Sequence, residues 1–159
     1  MILVTVGTQM PFDRLVGAMD RWAACHPEVK VVAQTGGGTC RPEALEAFDF
    51  LAPDRLDRLQ HEAELIVSHA GMGTILSVGM LGKPLVIMPR SFARGEHRND
   101  HQAATARRFE GRPGIHVARE EEDLHALLDR RRDLAASSGL SPHASPDLLA
   151  ALGEFISGG

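Results

Sequence analysis

Tyrosine is absent from this 159-residue sequence, and aromatic side chains make up only 4% of it. Basic residues are also short: seventeen Lys and Arg face twenty-one Asp and Glu, a formal net charge of −4. A protein that grips nucleic acid needs a basic stripe against the phosphates, and a single-strand binder needs aromatic platforms for the bases. Both are missing, so no nucleic-acid partner is expected. No apolar run approaches the roughly 20 residues that cross a bilayer. Cys25 and Cys40 are too few and too far apart for a disulfide framework or a CxxC motif. Met1 leads directly into Ile2-Leu3-Val4-Thr5-Val6 with no basic leader and no small-residue cleavage site. Two reduced thiols in a cytoplasmic protein are expected.

What is present is ordinary in amount, with 43% hydrophobic and 24% charged residues. A chain of this length fits a single domain over residues 1–159 and buries roughly 68–70% of its unfolded surface. Short β-branched runs alternate with segments of helical period. Strands are expected at Ile2–Val6, Val29–Ala33, Phe48–Leu51, Leu65–Val67, Leu85–Met88 and Ile115–Val117. Helices are expected from about Pro11 to Ala24, Pro53 to Glu62, Gly73 to Leu81, His101 to Phe109 and Glu120 to Leu134. The last of these carries acids first and Arg130, Arg131 and Arg132 last, an order that complements the helix dipole. A polar linker, Ser137 to Ser145, then leads to a short helix from Pro146 to Ile156.

Continuous apolar strands alternating with helices indicate an α/β fold, a Rossmann-like three-layer domain on a parallel sheet of about six strands. Ligands of such sheets bind beyond the carboxyl ends of the strands. Glycine-rich and polar segments fall there: Gly7-Thr8-Gln9, Gln34-Thr35-Gly36, Ser68 to Thr74, and Pro89 to Gln102.

Ser68-His69-Ala70-Gly71-Met72-Gly73-Thr74 joins a strand to a helix. Its glycines allow a close backbone approach, and the free amides of the helix start favour an anion such as a diphosphate. A tight turn with glycines chosen for packing is the alternative. The segment is not a dinucleotide fingerprint, since Leu76 occupies the third glycine position. Nor does Gly82-Lys83-Pro84 form a P-loop. Ser68 beside His69 does not make a hydrolase pair, because neighbours on a strand end point opposite ways and no G-x-S-x-G elbow exists.

Gly95 to Gln102 gathers donors, acceptors and two imidazoles, and Asp100, His101 and Gln102 could bond several sugar hydroxyls at once. His97 and His101, four apart with Glu96 and Asp100 beside them, raise a zinc site. No third ligand is evident, and no metal or other cofactor is expected.

Taken together, V-T-V-G-T-Q-x-P-F-D-R-L-V, V-S-H-A-G-M-G-T, L-G-K-P-L-V-I-M-P-R and G-E-H-R-N-D-H-Q resemble the donor-binding half of GT-B glycosyltransferases of family 28. The likeness is greatest to its single-domain members, subunits of two-part UDP-N-acetylglucosamine transferases and of bacterial exopolysaccharide enzymes. It runs from Ile2 to about Phe109. The resemblance implies a fold equivalent to the C-terminal half of GT-B and a UDP-sugar along the strand ends. Gly7, Thr8 and Gln9 would lie near the phosphates and interdomain cleft, and Gln34, Thr35 and Gly36 by the uracil. His69, Ala70, Gly71, Met72, Gly73 and Thr74 would carry the diphosphate, and Asp100, His101 and Gln102 the hexose. Many relatives place a ribose-binding Glu where this chain has Ser77.

It further implies inverting transfer of a hexosyl or N-acetylhexosaminyl group to a lipid-linked saccharide. The first strand begins at residue 2, so the acceptor-binding half is expected on a separate membrane-anchored subunit, which is also the candidate source of the general base. That subunit would recruit the chain to the cytoplasmic membrane face, with the last helix as a candidate docking element. A non-catalytic sugar-nucleotide-binding or scaffolding subunit is the alternative.

Overall fold

The computed structural model describes residues 1–136. Six strands form one parallel sheet: β1 (Ile2–Thr5), β2 (Val31–Gln34), β3 (Glu46–Phe48), β4 (Leu65–His69), β5 (Leu85–Met88) and β6 (Ile115–Val117). Five α-helices alternate with them: α1 (Asp13–Cys25), α2 (Pro53–Glu62), α3 (Met72–Met80), α4 (His101–Phe109) and α5 (Glu121–Asp129). The strand order is β3-β2-β1-β4-β5-β6. The expected helices and strands thus occur in the expected order, and the expected linker and last helix fall outside the described residues.

Side chains of successive strand residues point to opposite faces, and the sheet uses both. Ile2, Val4, Leu65, Val67, Val86 and Met88 pack against α1 and α5 through Leu15, Met19, Trp22, Leu124 and Leu128. Leu3, Ile66, Leu85 and Ile87 face the other way, onto Ile75 and Val78 of α3 and Ala106 and Phe109 of α4. Each fully buried side chain of this size contributes about 1.5–3 kcal/mol of burial. Central strands covered on both faces are apolar over most of their length, which is why residues 2–4, 65–67 and 85–88 read as unbroken runs.

Most boundaries shift by one or two residues from the sequence reading, and two elements differ more. The third strand is Glu46–Phe48 rather than Phe48–Leu51. It is an edge strand beside β2 only, with Glu46 paired to Lys30 at 3.3 Å on its rim, so it carries no apolar run. It ends where β2 turns away at Gly36, whose φ of +69° suits glycine. The final described helix stops at Asp129 rather than Leu134. There the Asp129 carboxylate accepts the Trp22 Nε1 hydrogen at 2.8 Å, and the Arg131 guanidinium lies 5.4 Å from the Trp22 ring centre. These contacts accompany a change to a 3₁₀ turn at Arg131–Asp133, so the arginines follow the helix rather than close it. At the other end, Glu120 and Asp123 form a reciprocal capping box.

Candidate functional site

The chain reverses its direction of winding between β1 and β4, hydrogen-bonded neighbours more than sixty residues apart in sequence, in register from Ile2↔Leu65 to Thr5↔Ser68. Their helices leave on opposite faces, so the loops at their carboxyl ends part and leave a crevice. An open cleft of about 780 Å³ occupies it, within the range of small-molecule sites.

The right-hand wall is the start of α3. Gly71 caps the helix with extended backbone and no side-chain bond, and the first intrahelical bond runs from the Ile75 amide to the Gly71 carbonyl at 3.0 Å. The amides of Met72, Gly73 and Thr74 therefore precede the helical ladder, at the positive end of its dipole. No acid lies in this first turn. A Cβ at Gly73 would meet nothing within 4 Å, so that position faces open space.

His69 forms the floor between two glycines. A Cβ at Gly7 would stand 2.7 Å from its Cε1, and one at Gly71 2.2 Å from its Nε2, so only glycine lets both loops close on the ring. Burial, followed by the positive charge of Arg90, pushes the imidazole from its ordinary 6.5 down to about 4, against a smaller opposing pull from the Thr5 carbonyl. Its Nδ1 is buried with no protein partner among the described residues. Ser68 is not poised as a nucleophile, since its hydroxyl donates to the His69 carbonyl at 2.7 Å.

The left-hand wall is the loop after β1, where Gly7, with φ of +77°, leads to exposed Thr8 and Gln9. Gln34 reaches in from β2 and donates through Nε2 to the Gly7 carbonyl at 3.3 Å. Thr35 and Gly36 line no part of the cleft. Their amides bond the carbonyls of Phe48 and Asp49 at 2.8 and 2.9 Å, and the Thr35 hydroxyl donates to the Asp49 carboxylate at 3.2 Å. Those two residues tie β2 to the end of β3.

From the far side come His97, His101, Gln102 and Thr105. Gln102 is buried, and its carboxamide oxygen accepts the Arg90 amide at 3.1 Å. Asp100 stands apart: its carboxylate accepts the Phe92 amide at 3.2 Å, and it borders a neighbouring cavity of about 290 Å³. Glu96 is also committed elsewhere, gripped by Arg14 through two bonds of 2.7 and 2.9 Å and by the Ser91 amide at 2.8 Å. Burial raises this carboxyl, but the Arg14 bonds, the Ser91 amide and the charges of Arg14 and Arg94 outweigh it and hold the pKa below its ordinary value. Among the described residues no three His, Cys, Asp or Glu side chains converge as metal ligands.

Sequence reasoning missed several residues of the cleft. Leu56 and Gln60 enter it from α2; Ser77, already singled out in the sequence, lines it from α3, where its hydroxyl donates to the Thr74 carbonyl at 3.1 Å. Arg90 is the more consequential omission. It is 3% exposed at the end of β5 and donates through Nη2 to the Val6 carbonyl at 2.9 Å and to the Met10 carbonyl. In the sequence it stood only as the last residue of the L-G-K-P-L-V-I-M-P-R motif and within the Pro89 to Gln102 segment, with no role of its own.

A parallel sheet of this order, with its crevice at the switch point and an uncapped helix start opening on it, defines a Rossmann-like domain matching the C-terminal half of GT-B glycosyltransferases. The profile of the Glycosyltransferase family 28 C-terminal domain matches residues 1–136, and the chain belongs to that family. It is 31% identical over 110 residues to the UDP-N-acetylglucosamine–N-acetylmuramyl-(pentapeptide) pyrophosphoryl-undecaprenol N-acetylglucosamine transferase of Paramagnetospirillum magneticum. That match takes in 66% of this chain but only 28% of the relative's length. Among solved structures, the NMR structure of ALG13 superposes with a TM-score of 0.66 at 19% identity, covering 98% of this chain and 96% of that one. MurG of Acinetobacter baumannii gives 0.61 at 19% identity, over 99% of this chain and 49% of that one. At such identities the likeness is one of fold. No described helix is long and apolar enough to cross a membrane.

Proposed function

We propose that this chain is the donor-binding subunit of an inverting, UDP-sugar-dependent glycosyltransferase, acting on a lipid-linked saccharide. A separate, membrane-anchored subunit would complete it, binding the acceptor and holding the chain at the cytoplasmic face of the membrane. The observation that carries this reading is the crevice between β1 and β4, where the α3 amides and a buried arginine supply positive potential. The family membership and the likeness to the ALG13 fold, matched over nearly the whole of both chains, lend it support.

In the proposed reaction an acceptor hydroxyl attacks the anomeric carbon of the donor. The bond from that carbon to the diphosphate oxygen breaks, and UDP leaves with the electron pair. The hydroxyl proton passes to a base, assigned here to the partner subunit. Negative charge grows on the departing diphosphate, where fixed amides and a helix dipole lower the barrier most. Charge neutralisation is assigned to these groups, without a metal. Uracil is assigned to the Gln34 end of the cleft and the hexose to His101 and Gln102.

Calorimetric titration with UDP, UDP-N-acetylglucosamine, UDP-glucose and UDP-glucuronate tests the donor assignment, and transfer by the chain with a co-purified membrane partner tests the rest. Failure to bind any of the four refutes the reading. Binding without transfer in the assembled pair would establish a non-catalytic sugar-nucleotide-binding subunit instead.

A further inference from the structure

We infer that Arg90 is the positioning residue of the cleft: it fixes the loop after β1 from below and leaves a buried positive charge facing the diphosphate position. The inference rests on the donor-site reading above. A guanidinium carries five N–H donors and does not lose its charge in proteins. Among the described residues, both bonds that the Arg90 side chain makes leave from Nη2, to the carbonyls of Val6 and Met10. Those carbonyls bracket Gly7, Thr8 and Gln9, so one nitrogen sets the course of the whole loop. Nε is buried without an acceptor among the described residues.

A buried charge with unmet donors is costly, and mere loop anchoring does not require it. A neutral donor could hold the same two carbonyls. The residue lines the cleft together with His69, Gly71, Gly73 and Thr74, the stretch assigned to the diphosphate. No carboxylate bonds it directly among the described residues. Phe12 covers it, with the ring centre 5.2 Å from the guanidinium carbon, and the nearby Glu96 is held by Arg14. The imidazoles of His69 and His97 are the other titratable groups near that charge. Glu96 steadies the Arg90 charge through space but makes no direct bond to it, so an anion entering the cleft meets a guanidinium bonded to no carboxylate among the described residues.

The test compares UDP with uridine, which shares the base and ribose but lacks the phosphates. Affinities for both are measured by calorimetry on the wild-type chain, Arg90→Gln and Arg90→Lys, with folding checked by circular dichroism. In wild type UDP binds more tightly than uridine. Arg90→Gln keeps a donor for one carbonyl but no charge, and its UDP-to-uridine affinity ratio falls about tenfold or more. Arg90→Lys keeps the charge, and its ratio stays within about threefold of wild type. A glutamine variant with an unchanged ratio overturns the inference, as does a lysine variant that loses the ratio equally. If Arg90→Gln does not fold, Arg90→Lys decides alone: a ratio within about threefold supports the inference, and any larger loss overturns it. A wild-type chain indifferent to the phosphates refutes the donor-site reading itself, which the variants leave untouched.

Discussion

Replacing Gly73 by aspartate adds a negative charge to the cleft while sparing the fold. A Cβ there meets no atom within 4 Å, and the residue is exposed in the first turn of α3. Aspartate is a slightly better helix residue than glycine, and a carboxylate near a helix N-terminus adds about 0.3–1 kcal/mol, so the free protein keeps or gains stability. Binding changes in the opposite sense. At about 5 Å and an effective dielectric of about 20, one unit of repulsion is about 3 kcal/mol. Solvent in the open cleft screens part of this, leaving a loss of about 1.4–2.7 kcal/mol, roughly tenfold to a hundredfold in UDP affinity. Gly73→Ala separates bulk from charge, and titration calorimetry beside thermal melting reads both quantities. An aspartate variant that binds UDP within twofold of wild type refutes the placement of the diphosphate. An alanine variant that loses as much as aspartate refutes the electrostatic argument.

Gly71→Ala, two residues away, has the opposite profile: its Cβ would stand 2.2 Å from the His69 Nε2, and differential scanning calorimetry should show a loss of about 1–3 kcal/mol. The His69 pKa is lowered in the folded chain, so the unfolded chain takes up its proton first. Stability should therefore decline as pH falls from about 6.5 towards about 4 and then level off for this group, and His69→Gln should flatten that segment of a melting-temperature profile. Glu96 shifts downward as an acid, so its contribution is present above the ordinary carboxylate range and lost as pH falls through the folded value. Glu96→Gln should lower the melting temperature at pH 7, with the difference from wild type shrinking in acid.

The layout of the molecule was legible because its central strands are covered on both faces. Burial keeps β1, β4 and β5 apolar up to their carboxyl ends, and the helical period of α1 survives beside them. The edge strand lacked that signal: Glu46 and Lys30 guard its rim, and the apolar residues just after it were mistaken for the strand. The end of α5 depended on Trp22, distant in sequence, whose indole meets Asp129. Within the cleft, glycine spacing located the α3 start, because a close backbone approach leaves a mark in composition. Thr35 and Gly36 carried a similar mark for a different reason, the turn that joins β2 to β3. Arg90, Leu56 and Gln60 left almost none, since which side chain of a strand end or helix enters a crevice is decided by packing.

Among the described residues that line the cleft, none is aspartate or glutamate. Divalent cations favour hard oxygen ligands, and a magnesium ion arriving with a diphosphate would find hydroxyls, amides, imidazoles and a fixed guanidinium beside it, but no carboxylate among the described residues. If the diphosphate binds as proposed, charge in the cleft favours the free nucleotide, and titration calorimetry with and without magnesium should show UDP binding no more tightly when the ion is present.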